Sequence, residues 1–357
     1  MAEYKKSYEE LDENSIYAPQ EDSGDRITVF SDAVEQYKKL QNKEPEYITK
    51  IKAYLGHQGI TDIHVTEEKP LVLRINGDIC RTKTIVDKGG ITEITDRIFQ
   101  LPGYDRFNCS GEYNGYRVRL RVSHSLQKKQ LFIRILPGRA PKVDDMGYGE
   151  FLHKQLLDAP RTPGIVIVAG STGSGKSTLL ASILQHFLDT KRIHIVSAED
   201  PVEYILYDNM GTISQREIPD DIEGFHDAVI NALREDPDII FIGETRDAPT
   251  AVALLQASET GHLAFTTIHA PDIPGIIGRL KGLLSDAVDV DMRLAQVVKG
   301  CIYLTLKEDE NGDYYRTASV LWFDEEIKNI LRERKNYSVL QEYVKEYKIN
   351  NKQIVTQ

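Results

Sequence analysis

Cysteine is scarce and scattered: Cys80, Cys109 and Cys301 are odd in number, far apart and in no Cys-x-x-Cys pair. This excludes a disulfide framework and a four-cysteine zinc module, and it fits a reducing compartment. An excess of positive charge is also missing. Against 44 Lys and Arg stand 55 Asp and Glu, a formal net charge of -11, whereas a phosphodiester backbone is held by dense Lys and Arg. No direct nucleic-acid partner is expected. Long apolar runs are absent as well, and the opening "MAEYKKSYEELDENS" lacks the apolar core of a signal peptide. The expectation is a cytoplasmic chain with no transmembrane segment.

What remains is an ordinary globular composition, 41% hydrophobic over 357 residues, enough for two or three domains each with its own core. Residues 1–30 are polar and acid-rich with little periodicity and read as a flexible leader. In "YITKIKAYLGHQG", Ile48, Ile51 and Leu55 recur at helical spacing before a glycine stop. "DIHVTEEKPLVLRINGDI" reads as strands around an Asn76-Gly77 turn. "GYRVRLRVSHS" and "QLFIRIL" alternate arginine with apolar residues, as half-buried strands do. Residues 31–137 are therefore expected to form one small α/β domain. The Pro-, Gly- and charge-rich segment 138–150 reads as a linker.

From 151 to 325 apolar runs ("GIVIVA", "RIHIVS", "DIIFIG", "HLAFTT") alternate with helical patterns, the signature of a parallel sheet covered by helices. "CIYLTLKEDENGDYYRTASVLWF" reads as a hairpin around Asn311-Gly312. Two stretches that follow, "DEEIKNILRERK" and "SVLQEYVKEYK", read as C-terminal helices within 326–357.

The chemistry concentrates in "GSTGSGKST", where Gly170, Gly175, Lys176 and Ser177 satisfy G-x-x-x-x-G-K-[ST] between a strand and a helix. Glycines at 170, 173 and 175 let consecutive N–H groups converge on phosphate oxygens, with Ser171, Thr172, Ser174 and Thr178 completing the loop. Lys176 is expected to hold the β- and γ-phosphates of ATP, and Ser177 to coordinate Mg²⁺. Hydrolysis also needs a group that orients water. Glu199 in "SAEDPVEY" and Glu244 in "IGETRD" each follow an apolar run, at the sheet edge where ligands bind. Either could serve. The acid that precedes this Glu in many such ATPases is here Gly243, so Glu244 is expected to serve both metal and water. In "SETGHLAFTTIHA", His269 reads as a γ-phosphate sensor and His262 as structural.

The ordered set "GSTGSGKST", "AEDPVEY" with "QRE", "LREDPDIIFIGETRD" and "TGHLAFTTIH" resembles the type II/IV secretion ATPase superfamily, above all its pilus-retraction branch. The likeness extends through "DIHV", "RINGDI", "RLRVS", "FIRILP" and "EEIKNILRERK", over about residues 50–340. It implies a PAS-like α/β domain followed by a RecA-like ATPase domain. It also implies a homohexamer that docks on an inner-membrane pilus or secretion platform protein, at the inner face of the membrane. By the same resemblance Arg119, Arg121 and Arg134 are arginine fingers; without it, alternating arginines would mark only the solvent face of a strand. Pilus retraction is the function implied. Effector or conjugative export and a nucleotide-gated docking switch are its alternatives. Leu179 for the second loop threonine, Pro219 after "QREI" and "SVLWFD" before the last helix depart from the retraction pattern.

Overall fold

The computed structural model describes residues 44–57, 59–75, 77–102, 109–147, 152–157, 162–310, 314–333 and 337–349. The leader 1–30, the boundaries near residues 31 and 151, the Asn311-Gly312 turn and Asn76 lie outside them. Two compact units divide after Leu136, and the architecture is mixed α/β with one sheet in each.

In the first unit, helix α1 (Glu46–Leu55) buries Tyr47, Ile48, Ile51, Tyr54 and Leu55, the stripe its 3.6-residue period sets. Six strands follow: β1 (Ile60–Thr66), β2 (Pro70–Ile75), β3 (Asp78–Ile85), β4 (Cys109–Tyr113), β5 (Tyr116–Ser125) and β6 (Lys128–Ile135). Between β3 and β4 lies α2 (Gly90–Arg97). The sheet runs β3-β2-β1-β6-β5-β4, and every pairing is antiparallel. One face packs Ile63, Val65, Leu71, Leu73, Val118, Leu120, Leu131 and Ile133 against the helices. The period of two then places the intervening arginines and polar residues on the other face. Gly77, with φ 93°, supplies the left-handed backbone that the tight β2–β3 turn needs.

In the second unit a sheet of eight strands carries the phosphate loop. Its members are β7 (Gly164–Gly170), β8 (His194–Glu199), β9 (Thr212–Glu217), β10 (Ile239–Ile242), β11 (Leu263–Ile268), β12 (Val298–Glu308), β13 (Tyr314–Trp322) and β14 (Lys345–Ile349), in the order β14-β13-β12-β7-β11-β10-β8-β9. Strands β12 through β9 pair in parallel, while β13 and β14 add antiparallel at one edge. The helices are α3 (Lys176–Thr190), α4 (Phe225–Ala232), α5 (Ala248–Glu259), α6 (Ile273–Leu283), α7 (Val290–Val297) and α8 (Glu325–Arg332). Two apolar clusters hold them to the sheet. Every residue of β7 and β11 is buried, as expected for parallel strands covered on both faces.

Two expectations need correction. The segment read as a linker belongs to the second unit as far as it is described: Val143–Met146 form a turn of 3₁₀ helix, and Val143 and Met146 are buried beside Leu180 and Leu184. One turn is too short to print a period on the sequence. The second correction concerns "SVLQEYVKEYK", which is not an α-helix. Tyr337–Tyr343 form a 3₁₀ segment and Lys345–Ile349 the edge strand β14, paired with β13. Tertiary pairing overrides the helical spacing of Leu340 and Val344, so residues 337–349 are not part of a helical appendage.

Phe187 anchors α3: it is fully buried, with its ring 6.2 Å from that of Phe265 on β11. Phe187→Ala should destabilise the second unit by about 3–5 kcal/mol, read as a lowered urea midpoint. An unchanged midpoint would show that α3 is not seated on the sheet as described.

Candidate active site

The phosphate loop leaves β7 at Gly170 and enters α3 at Lys176, and its shape depends on glycine. Gly170, Gly173 and Gly175 have φ of 146°, 81° and 97°, values side chains resist. At Gly170 a Cβ would also collide with the Leu304 carbonyl of β12. Asp247, Asp272 and Asp324 cap α5, α6 and α8 through their carboxylates, whereas α3 begins at Gly175 with no side-chain cap. Its first N–H groups and the positive end of its dipole therefore face the loop, an arrangement that favours an anion. The hydroxyl of Ser174 is buried without a partner among the described residues. Lys176 folds back so that Nζ donates to the carbonyls of Gly170 at 2.9 Å and Ser171 at 3.0 Å. Burial lowers its pKa, against the opposing pull of Glu244 and Glu203. These are the features of a cradle for a polyphosphate.

Parallel register brings the other candidates to the same edge. Ile242 of β10 pairs with Ala198 of β8 and Thr266 of β11, so Glu199, Glu244 and His269 follow at neighbouring strand ends. Glu244 is paired with two neighbours at this edge. Arg246 Nε donates to its Oε2 at 2.7 Å, and His269 Nε2 lies 3.4 Å from its Oε1. Arg246 reaches Asp200 as well, at 3.4 Å, and its bond to Glu244 raises its pKa. Glu199 is held differently: it is buried, and its Oε1 accepts from Gln215 Nε2 at 2.8 Å. His262 lies at the opposite end of β11, with Nδ1 3.0 Å from the Ala257 carbonyl.

Gly243 has a steric reason. A Cβ there would lie 3.2 Å from the Cα of Glu199 and 3.4 Å from the Ala198 carbonyl, so a side chain would press on the end of β8 and make its backbone give slightly. The turn is pinned from β11 as well. Thr267 Oγ1 donates to the Gly243 carbonyl at 2.6 Å, and the hydroxyls of Thr245 and Thr266 meet at 2.8 Å.

Several residues at the site were not among the candidates read from the sequence. Arg316 of β13 packs against the loop, its Nε 3.3 Å from where a Cβ on Gly175 would be, and that Nε is buried without a protein partner. Only the antiparallel addition of β13 to β12 brings it there. Tyr204, whose hydroxyl is 2.9 Å from Thr178 Oγ1, and Glu203 come from the irregular segment after β8. Arg246 had a readable signal, two residues beyond Glu244. Arg119 and Arg121 lie on β5 and Arg134 on β6 in the first unit, with Arg119 directly opposite Arg134 and Arg121 opposite Phe132. Among the described residues, no group of three or more His, Cys, Asp or Glu could hold a metal. A Mg²⁺ held by one hydroxyl, one carboxylate and phosphate oxygens needs no such group. Ser177 in the first turn of α3 and Glu244 fit that donor set.

A parallel sheet with a phosphate loop at the end of a central strand, and a carboxylate, an arginine and a histidine grouped at the same edge, defines a phosphate-loop nucleoside triphosphatase. Residues 92–312 match the model of the family described as type II/IV secretion system protein, and the chain belongs to that family and is an ATPase. It is 32% identical over 319 residues to the type IV pilus retraction ATPase PilT of Pseudomonas aeruginosa, across 82% of this chain and 88% of that one. A crystal structure of the pilus retraction motor PilT with bound ADP superposes with a TM-score of 0.74 at 30% identity, covering 84% of this chain and 89% of that one. The ATPase DotB of Legionella pneumophila gives a TM-score of 0.68 at 26% identity, with 84% and 88% covered. Among the described residues, no helix is long and apolar enough to cross a membrane.

The crowding at Gly243 gives a direct test. Gly243→Asp should lower turnover at least about tenfold, because it presses on the backbone of Glu199 and puts a third carboxylate beside Glu199 and Glu244. Gly243→Ala should lose less. Turnover at the parent rate in the Asp variant, measured by phosphate release, would contradict the packing described.

Proposed function

We propose that this chain is a Mg²⁺-dependent motor that hydrolyses ATP to ADP and phosphate, works as a homohexamer docked on an inner-membrane platform protein, and powers retraction of a type IV pilus. The observation that carries the catalytic part is Glu244, bonded to Arg246 and facing His269 at the sheet edge that holds the uncapped phosphate loop. ATP with Mg²⁺ supplies the scissile γ-phosphoryl group and the charge the site must offset. Lys176 then exchanges the carbonyls of Gly170 and Ser171 for phosphate oxygens, and Ser177 and Glu244 hold the metal. Glu244 is favoured over Glu199 as the residue that orients water, because it is grouped with Arg246 and His269 at the exposed sheet edge while Glu199 is buried and bonded to Gln215. His269 senses the γ-phosphate through its contact with Glu244.

Arg119, Arg121 and Arg134 are assigned to the transition-state charge, reaching the nucleotide of a neighbouring subunit as arginine fingers. Similarity to retraction ATPases across most of both chains favours retraction over export. A nucleotide-gated switch would turn over slowly and without stimulation by a platform, so platform-stimulated steady-state turnover separates motor from switch.

Two substitutions test the site. Lys176→Ala should abolish ATP binding with an unchanged melting curve, because Nζ meets only loop carbonyls and no core. Glu244→Gln should keep ATP bound and slow turnover on the order of a hundredfold or more, as removal of a positioned catalytic group does. Normal affinity in the first, or the parent rate in the second, would remove the assignment of that residue.

A further inference from the structure

On the solvent-facing side of the first unit's sheet, strand register builds a row across four strands. Arg74 of β2 stands opposite Asp62 of β1, Asp62 opposite Arg134 of β6, and Arg134 opposite Arg119 of β5. Two of the three guanidinium groups, those of Arg74 and Arg134, thus share one carboxylate. Like charges directly opposite one another across strands are destabilising, and the one acid in the row sits between Arg74 and Arg134.

The geometry of Asp62 goes beyond charge balance. Its side chain is only 11% exposed while that of Arg134 is 63% exposed, so the carboxylate is fixed in the sheet and the arginine projects from it. Arg134 Nε donates to Oδ1 at 2.8 Å. The other oxygen, Oδ2, accepts from Thr61 Oγ1 at 2.9 Å and lies 3.9 Å from Arg74 Nε. Arg74 is itself tied down by a 2.7 Å bond from Nη1 to the Gly77 carbonyl. With both oxygens engaged, Asp62 cannot rotate, and it grips Arg134 by the inner nitrogen only. The two terminal nitrogens, the pair that binds phosphate in a fork, carry no bond to described residues. Where this chain uses arginine to join helices the fork is closed: Arg293 places Nε at 2.6 Å and Nη2 at 2.7 Å on the two oxygens of Glu259.

We propose that Asp62 is a positioning residue for ATP hydrolysis, holding the Arg134 guanidinium at its Nε edge so that its outer edge is presented to nucleotide phosphate. This rests on the assignment of Arg134 as a finger. A simple surface ion pair would contribute little to stability and nothing to turnover. A positioning residue acts on kcat, since displacement of a catalytic group by about 1 Å can cost on the order of a hundredfold.

Asp62→Asn and Asp62→Ala, Arg134→Ala and the Asp62→Ala/Arg134→Ala double variant would be compared in the full-length chain by kcat, KM for ATP and melting temperature. Asp62→Asn keeps the shape of the site and guards against loss of fold. The expectation is a fall in kcat of about tenfold or more for each Asp62 variant with KM within about twofold, and no further loss in the double variant over Arg134→Ala. Added guanidinium ion should partly restore turnover to Arg134→Ala but not to the double variant, which lacks the carboxylate that would seat it. An Arg134→Ala enzyme at the parent rate would overturn the finger assignment and this proposal with it. Slow Arg134→Ala beside parent-rate Asp62 variants, additive losses, or equal guanidinium rescue with and without Asp62 would overturn the proposal for Asp62 and leave the finger standing.

Discussion

Parallel pairing of β7, β8, β10 and β11 is the constraint on which the candidate site depends. In a parallel ladder all strands end at the same edge, so residues separated by tens of positions along the chain become neighbours there. The register that sets Ile242 level with Ala198 and Thr266 lines up Glu199, Glu244 and His269, and the pairing of Ala169 with Ile268 places the loop beside them. A slip of one residue would turn each strand end to the other face. The fully buried strands prevent that slip.

Electrostatics at this edge are balanced without nucleotide. Lys176 bonds to its own loop's carbonyls, Glu244 to Arg246, and Arg246 also to Asp200. None of these pairs is deeply buried, and exposed pairs are individually weak, so exchanging them for phosphate and metal costs little. Glu199, by contrast, is buried and bonded to Gln215, which also donates to the Tyr204 carbonyl and accepts from Leu206 N–H. Gln215 thus ties the irregular segment after β8 to β9 and holds this acid in place. Two carboxylates with similar positions in the sequence therefore have different physical settings.

Much of this was legible from the residues. The phosphate loop announces itself because its glycines, lysine and serine serve one ligand at fixed spacing, and the burial of parallel strands writes uninterrupted apolar runs. Alternation in "RVRLRV" gave β5 and its arginine face. What the sequence did not disclose depends on contacts between distant segments. Arg316 reaches the loop only through β13, the place of Glu203 and Tyr204 within "AEDPVEY" did not show that Tyr204 meets Thr178, and Gly243 is explained by the nearness of Glu199, which no local pattern encodes. "SVLQEYVKEYK" misled for the same reason, since a strand supplied by a sheet edge overrides a helical spacing of two residues. Asp62 stood in plain sight within "DIHV", yet its hold on Arg134 comes from a register 72 residues long in sequence.

The central claim is that hydrolysis requires a phosphate loop and an arginine contributed by different subunits. The most direct measurement is the ATPase activity of mixtures of Lys176→Ala and Arg134→Ala subunits, in assemblies whose mixed composition is established by mass. Some interfaces in such rings pair an intact loop with an intact arginine, so activity above that of either variant alone is the predicted result. Mixed rings no more active than the separate variants would contradict a finger acting between subunits.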